Sequence, residues 1–198
     1  YMNLKVLYED NHLIAVFKPA GMLTQGDITG DRCLMDEVKS YLKEKYKKPG
    51  KVFLGLLHRL DRPVSGIVLF AKTSKGASRL SEQFRNRTIK KTYHALVLGK
   101  PKKEKGQLIN FLRKNKNEGA KKAELDYEVV SSGDKYSLLK VRIKTGRFHQ
   151  IRSQLTLLGH PIVWQDKNIC LCATSISFKL ATKNEIKEIS IPIPKWSW

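Results

Sequence analysis

Acidic residues are scarce: 18 Asp plus Glu face 38 Lys plus Arg among 198 residues, giving a net charge of +20. Solubility of a small domain is served by a net charge of about 2–8, so this excess points to a polyanionic partner, nucleic acid or an anionic membrane surface. Long apolar runs are missing too. The longest, such as Gly66 to Ala71, are strand-sized and fall far short of the ~20 residues of a spanning helix. The opening residues lack a basic stretch followed by an apolar one, so no secretory signal is read there. Cysteine is limited to Cys33, Cys170 and Cys172, too few and too irregular for a disulfide framework. The expectation is a cytoplasmic protein that meets nucleic acid and not a membrane.

Other chemistries lack their signatures. The five histidines, at 12, 58, 94, 149 and 160, never form HExxH, and Cys170-x-Cys172 has no second pair, so no metal is expected. No glycine-rich phosphate loop follows a strand, which leaves nucleotide hydrolysis without support. What remains is an ordinary folding composition, 41% apolar and 28% charged. That length suits one compact domain over residues 1–198.

Apolar stretches either side of Glu9-Asp10-Asn11 predict a strand pair, and Leu34, Val38, Tyr41 and Leu42 recur at helical spacing up to Lys48-Pro49-Gly50. VFLGLL and GIVLFAK read as strands. Thr73 or Ser74 is placed to cap a helix with Ala77, Leu80 and Phe84 on one face, and TYHALVLG follows as a strand. Eight basic and two acidic residues from Lys102 to Lys122 predict an exposed loop or hairpin tip. AELDYEVV, YSLLKVRIK, a helix over His149 to Leu158, CLCATSISF and EISIPIP complete the chain. Many strands with about three helices on no regular βαβ schedule predict an α+β fold.

Two segments concentrate polar chemistry. In His58-Arg59-Leu60-Asp61-Arg62-Pro63-Val64-Ser65-Gly66, a carboxylate sits among cations between two apolar strands. Those cations favour an ionised Asp61, as a nucleophile requires, and attract phosphate. In Thr145-Gly146-Arg147-Phe148-His149-Gln150-Ile151-Arg152, Arg152 neighbours a core position, where an arginine needs a carboxylate partner, and Asp61 is the candidate. A third element, Lys91-Thr92-Tyr93-His94-Ala95-Leu96-Val97, puts Tyr93 and His94 on opposite faces of a strand.

These three blocks together resemble the sequence motifs of the RluA family of RNA pseudouridine synthases. NHLIAVFKPAGM near the start and Gly159-His160-Pro161-Ile162 later resemble it as well, in the same order, so the likeness runs from Leu4 to Pro194. It covers the catalytic part alone, without the S4-like domain of larger members. The resemblance implies a central, mostly antiparallel sheet flanked by helices and loops, and isomerisation of uridine to pseudouridine in structured RNA, ribosomal or transfer, without cofactor or metal. It implies Asp61 as the catalytic aspartate, Tyr93 as the motif tyrosine, Arg152 as the arginine pairing with the aspartate, and Arg59 as the residue that displaces the flipped base. His58, Arg62, Arg147, His149 and Gln150 fall in the same motifs as candidate RNA contacts. The chain departs from the family pattern at Phe148 and in Val163-Trp164-Gln165-Asp166-Lys167-Asn168.

A basic RNA-contacting surface is expected from Lys90, Lys91, Lys114, Lys116, Lys121 and Lys122, on a monomer. The competing reading is a non-catalytic RNA-binding or ribosome-assembly protein on the same fold. A pure binder gains nothing from a carboxylate facing phosphates, so Asp61 favours the enzyme.

Overall fold

The computed structural model describes residues 4–196. In chain order its elements are β1 (Val6–Glu9), β2 (Leu13–Lys18), α1 (Leu34–Lys45), β3 (Gly55–Leu56), β4 (Ser65–Ala71), α2 (Ser74–Arg85), β5 (Lys90–Leu98), β6 (Lys105–Leu112), β7 (Lys121–Ser132), β8 (Tyr136–Ile143), α3 (Gln150–Leu157), β9 (Trp164–Gln165), β10 (Asn168–Ile169), β11 (Leu171–Lys179) and β12 (Ile186–Ser190). This is the expected α+β class. Two compact units form: residues up to Ile89 with Ile176–Ile191, and Lys90–Ser175 with the stretch from Pro192.

In the first unit, Asp10 makes the opening turn, its Oδ1 accepting the N–H groups of His12 and Leu13, both at 2.7 Å. That turn folds β1 back on β2, and β2 pairs antiparallel with β4 from Leu13 opposite Ala71 to Lys18 opposite Gly66. Both β2 and β4 are buried almost throughout, as strands covered on two faces must be. Helix α1 buries Leu34, Val38 and Leu42, while Tyr41 and Lys45 reach Glu9 on β1 at 2.9 and 2.7 Å. Thr73 caps α2 by accepting the Gly76 N–H at 3.1 Å. Gly76 is required there, since a Cβ would lie 2.6 Å from the His12 carbonyl oxygen. Leu80 enters the core, with Ala77 and Phe84 packed against it.

The second unit is an antiparallel run in which β5 pairs β8, β8 pairs β7 and β7 pairs β6. Segment 102–122 is the main difference from expectation. Most of it is β6 and the start of β7, paired from Lys105 opposite Glu128 to Leu112 opposite Lys121, and only 113–120 forms a tip. The alternation of Leu108, Asn110 and Leu112 with Gln107, Ile109 and Phe111 drives this, although lysines at both ends disguise it. Two predicted strands are shorter than expected. VFLGLL contributes only Gly55–Leu56, and β12 stops at Ser190 before Pro192 and Pro194, which cannot donate to a ladder.

Candidate active site

In the first unit, residues 58–66 are pinned against the segment that follows β2. Lys18 is fully buried at the end of β2 and donates to the carbonyls of Pro19 (3.1 Å), Met22 (2.7 Å) and Arg62 (3.1 Å). Thr24, also buried, donates to the Leu60 carbonyl at 2.7 Å and accepts the Leu60 N–H at 3.1 Å. Gly21 N–H adds a bond to the Arg62 carbonyl at 2.8 Å, and Arg62 Nε returns one to the Gly21 carbonyl at 3.0 Å. Asp61 therefore sits half-buried between two residues whose main chains are each held from the other segment. The Val64 N–H closes the turn on the Asp61 carbonyl at 3.0 Å.

Lys18 is the functional residue that sequence reasoning missed. Burial lowers its pKa to about 8, the Asp61 carboxylate opposing that fall and Arg62 adding to it. A cation thus faces Asp61 from the protein interior. Of the motif's other cations, Arg59 is exposed, and Arg62 pairs with Asp31 at 2.8 Å.

His58 turns to the scaffold, which differs from the RNA-facing role the motif implied. Its Nε2 accepts the Leu69 N–H of β4 at 3.0 Å, and its ring stacks on Phe84 of α2 with centroids 5.2 Å apart.

In the second unit, Tyr93 is buried on β5, and Lys91 shares its face by strand alternation. Lys91 is half-buried, and burial lowers its pKa to about 8. It is thus a desolvated cation beside the motif tyrosine, whereas Lys90 is the exposed member of the pair. On the opposite face, His94 is held at 2.8 Å from Thr174 Oγ1, and burial, with the Lys140 charge adding, lowers its pKa.

The third motif divides between support and surface. Gln150 is buried: its Oε1 accepts Thr145 Oγ1 (2.7 Å) and the Arg147 N–H (3.0 Å), and its Nε2 donates to the Glu124 carbonyl (3.1 Å). It fixes the turn and is another difference from the expected RNA contacts. His149, in the left-handed region at φ 47°, caps α3 and stacks on the exposed Phe148 at 3.7 Å. Arg147 Nε donates to the Lys122 carbonyl at 2.9 Å. Arg152 places its guanidinium over the Trp164 ring, 5.3 Å from its centroid.

Gln154, one turn along α3, donates to the Leu108 carbonyl (3.1 Å) and Asn110 Oδ1 (2.8 Å), tying the helix to β6. At the hairpin, Lys114, Lys116 and Lys121 are exposed, while Lys122 already meets Glu124 at 3.0 Å. Among the described residues no helix is long and apolar enough to cross a membrane. No three of His, Cys, Asp and Glu converge as metal ligands among them either.

An α+β chain whose three polar motifs sit on a β3–β4 turn, on β5 and at the start of α3 has solved counterparts. The structure titled human RNA pseudouridylate synthase domain containing 4 superposes with a TM-score of 0.80 at 21% identity, over 96% of this chain and 89% of that one. Human RNA pseudouridylate synthase domain containing 1 gives 0.75 at 21% identity, over 96% and 83%. The fold is shared.

Residues 12–157 match the RNA pseudouridylate synthase family model, and the chain belongs to that family. It is 30% identical to ribosomal large subunit pseudouridine synthase C of Vibrio parahaemolyticus, over 95% of this chain and 65% of the relative. It is 36% identical to the protein of the same name from Rickettsia conorii, over 82% and 55%. The chain thus spans roughly half to two thirds of the length of such relatives.

Proposed function

We propose that this chain is the catalytic part of an RNA pseudouridine synthase, an isomerase that converts uridine to pseudouridine within structured RNA. Ribosomal RNA is the first substrate to test, because the relatives' names specify the large ribosomal subunit. The observation that carries the reading is the clamp on residues 60–62. A nucleophilic carboxylate must be ionised and fixed, and Asp61 is flanked by main chain that Thr24 and the Lys18 ammonium hold from within.

The target base leaves its stack, at a cost of a few kcal/mol, and exposed Arg59 fills the vacated position. Asp61 then acts as nucleophile at ribose C1′ or pyrimidine C6, or assists ribose deprotonation toward a glycal. In each route the N1–C1′ bond breaks, the uracil turns, and a C5–C1′ bond forms. C5 then loses its proton, N1 gains one, and the carboxylate is regenerated. Tyr93 is the base for the C5 proton, on the strand face it shares with Lys91. Arg152 pairs with Asp61 through its N–H edge, its flat face being occupied by Trp164, and the two uses of a guanidinium are compatible.

The test is tritium release from large-subunit ribosomal RNA transcripts carrying 5-tritiated uridine, beside filter-binding curves. Asp61→Asn should abolish release while affinity stays within about tenfold, since the change removes a nucleophile and a charge that repels phosphate. Release by the variant at the wild-type rate would sink the mechanism. Tight binding without release by the wild type would leave an RNA-binding protein.

A further inference from the structure

A cleft lies between α3 and the β9–β10 hairpin that follows it. His149, Arg152, Ser153, Thr156, Leu157 and Trp164 are among the residues lining this cleft of about 470 Å³, within the ~300–1,000 Å³ of small-ligand sites. We propose that this cleft takes an unpaired nucleobase of the RNA, stacked on Trp164. The inference rests on the RNA-modifying reading above and adds to it a place for a base beside the target uridine.

The support under Trp164 is rigid. Its strand β9 pairs with β10, Ile169 opposite Trp164. The Val163 N–H bonds to the Leu96 carbonyl at 2.8 Å and the Leu96 N–H to the Cys170 carbonyl at 3.0 Å, which ties both ends of the hairpin to β5, and the Cys170 N–H closes the hairpin on the Val163 carbonyl at 2.8 Å. Asp166, at φ 55°, makes the tight turn between them. The indole is nevertheless 48% exposed, and Leu157 beside it 65%. A large aromatic held firmly yet left half in water, on a chain of net charge +20, is a surface waiting for a flat partner.

The electrostatics select which partner. The lining offers a guanidinium, an imidazole and the hydroxyls of Ser153 and Thr156, and contains no carboxylate. That set favours a base carrying ring-nitrogen acceptors on a phosphate backbone, and disfavours a cationic peptide. The Arg152 guanidinium, 5.3 Å from the indole centroid, puts a positive charge at the same place, which favours a strand carrying phosphates. Base–aromatic stacking contributes about 5- to 150-fold in affinity per base.

The experiment uses the chain with Trp196→Phe and Trp198→Phe, leaving Trp164 as the sole tryptophan fluorophore. Two probes of equal charge are compared at saturation, as judged by filter binding: a ten-nucleotide oligoadenylate and its abasic counterpart. Oligoadenylate should quench Trp164 fluorescence and the abasic strand should not. Trp164→Ala, checked for folding by circular dichroism, should weaken oligoadenylate binding at least fivefold and abasic binding less than twofold. Trp164→Phe, which keeps a ring, should recover part of the loss. Equal quenching by both strands, no quenching by either, or equal weakening of both would overturn the proposal. Tritium release is scored separately: quenching without release overturns the synthase reading and leaves the base-binding cleft standing.

Discussion

Replacing Lys18 with Met keeps most of the side-chain volume and removes the ammonium. At neutral pH two effects oppose one another. Three hydrogen bonds from a charged donor disappear, each contributing about 1.5–3 kcal/mol, and their carbonyls are left in the interior. Against this, burial lowers the Lys18 pKa from 10.5 to about 8, so removing the cation relieves about 3 kcal/mol of strain. The net expectation is a loss of about 1–6 kcal/mol, a large part of the stability of an ordinary domain.

The same numbers fix a pH signature. Because the folded pKa is depressed, the folded state binds fewer protons than the unfolded state between about pH 8 and 10.5, and stability contributed by this group rises with pH across that window. It is lost again as pH falls from about 10.5 to about 8, and below that it is constant. The Met variant has no such group, so the stability gap between wild type and variant should widen by about 2 kcal/mol from pH 7 to pH 9.5. Urea denaturation of both proteins at the two pH values measures it. A gap below about 0.5 kcal/mol at pH 7, or one that fails to widen, would refute the account of Lys18 as a buried, charged clamp.

Tyr93→Phe keeps the buried ring, so stability should change by only about 1 kcal/mol, while turnover falls at least ~100-fold and an undeprotonated product accumulates in rapid-quench samples. Tritium release at the wild-type rate would make Tyr93 a packing residue. RNA binding should weaken with salt with a log–log slope of roughly −3 to −7, as for four to eight neutralised phosphates. Changing exposed Lys114, Lys116 and Lys121 together to Ala should make that slope shallower by about 2–3, measured by filter binding from low to moderate salt. An unchanged slope would mean that the hairpin stays clear of the RNA.

The elements that sequence reading recovered are those whose signal is local. Leu34, Val38 and Leu42 mark the buried stripe of α1, Thr73 the cap of α2, and the three motif blocks are contiguous runs of unusual polarity. What it lost depends on partners far along the chain. Lys18 looks like a surface cation closing an apolar strand, and becomes a clamp only because the Arg62 carbonyl, 44 positions away, folds back to its ammonium. His58 and Gln150 read as candidate RNA contacts because their scaffold partners lie elsewhere in the chain: His58 accepts the Leu69 N–H, and Gln150 donates to the Glu124 carbonyl.

Trp164 shows the complementary limit. As a residue it was visible, but a half-exposed indole and a buried one give the same letter. Only the hairpin register opposite Ile169 and the guanidinium above the ring reveal a platform. Lys91 lies between these cases. Its spacing of two from Tyr93 was legible and sufficed to put both on one face, and a lysine sharing a face with a tyrosine destined for burial must itself lose water. A period-two count outward from each motif residue therefore predicts a partly desolvated Lys91 on the strand face of Tyr93.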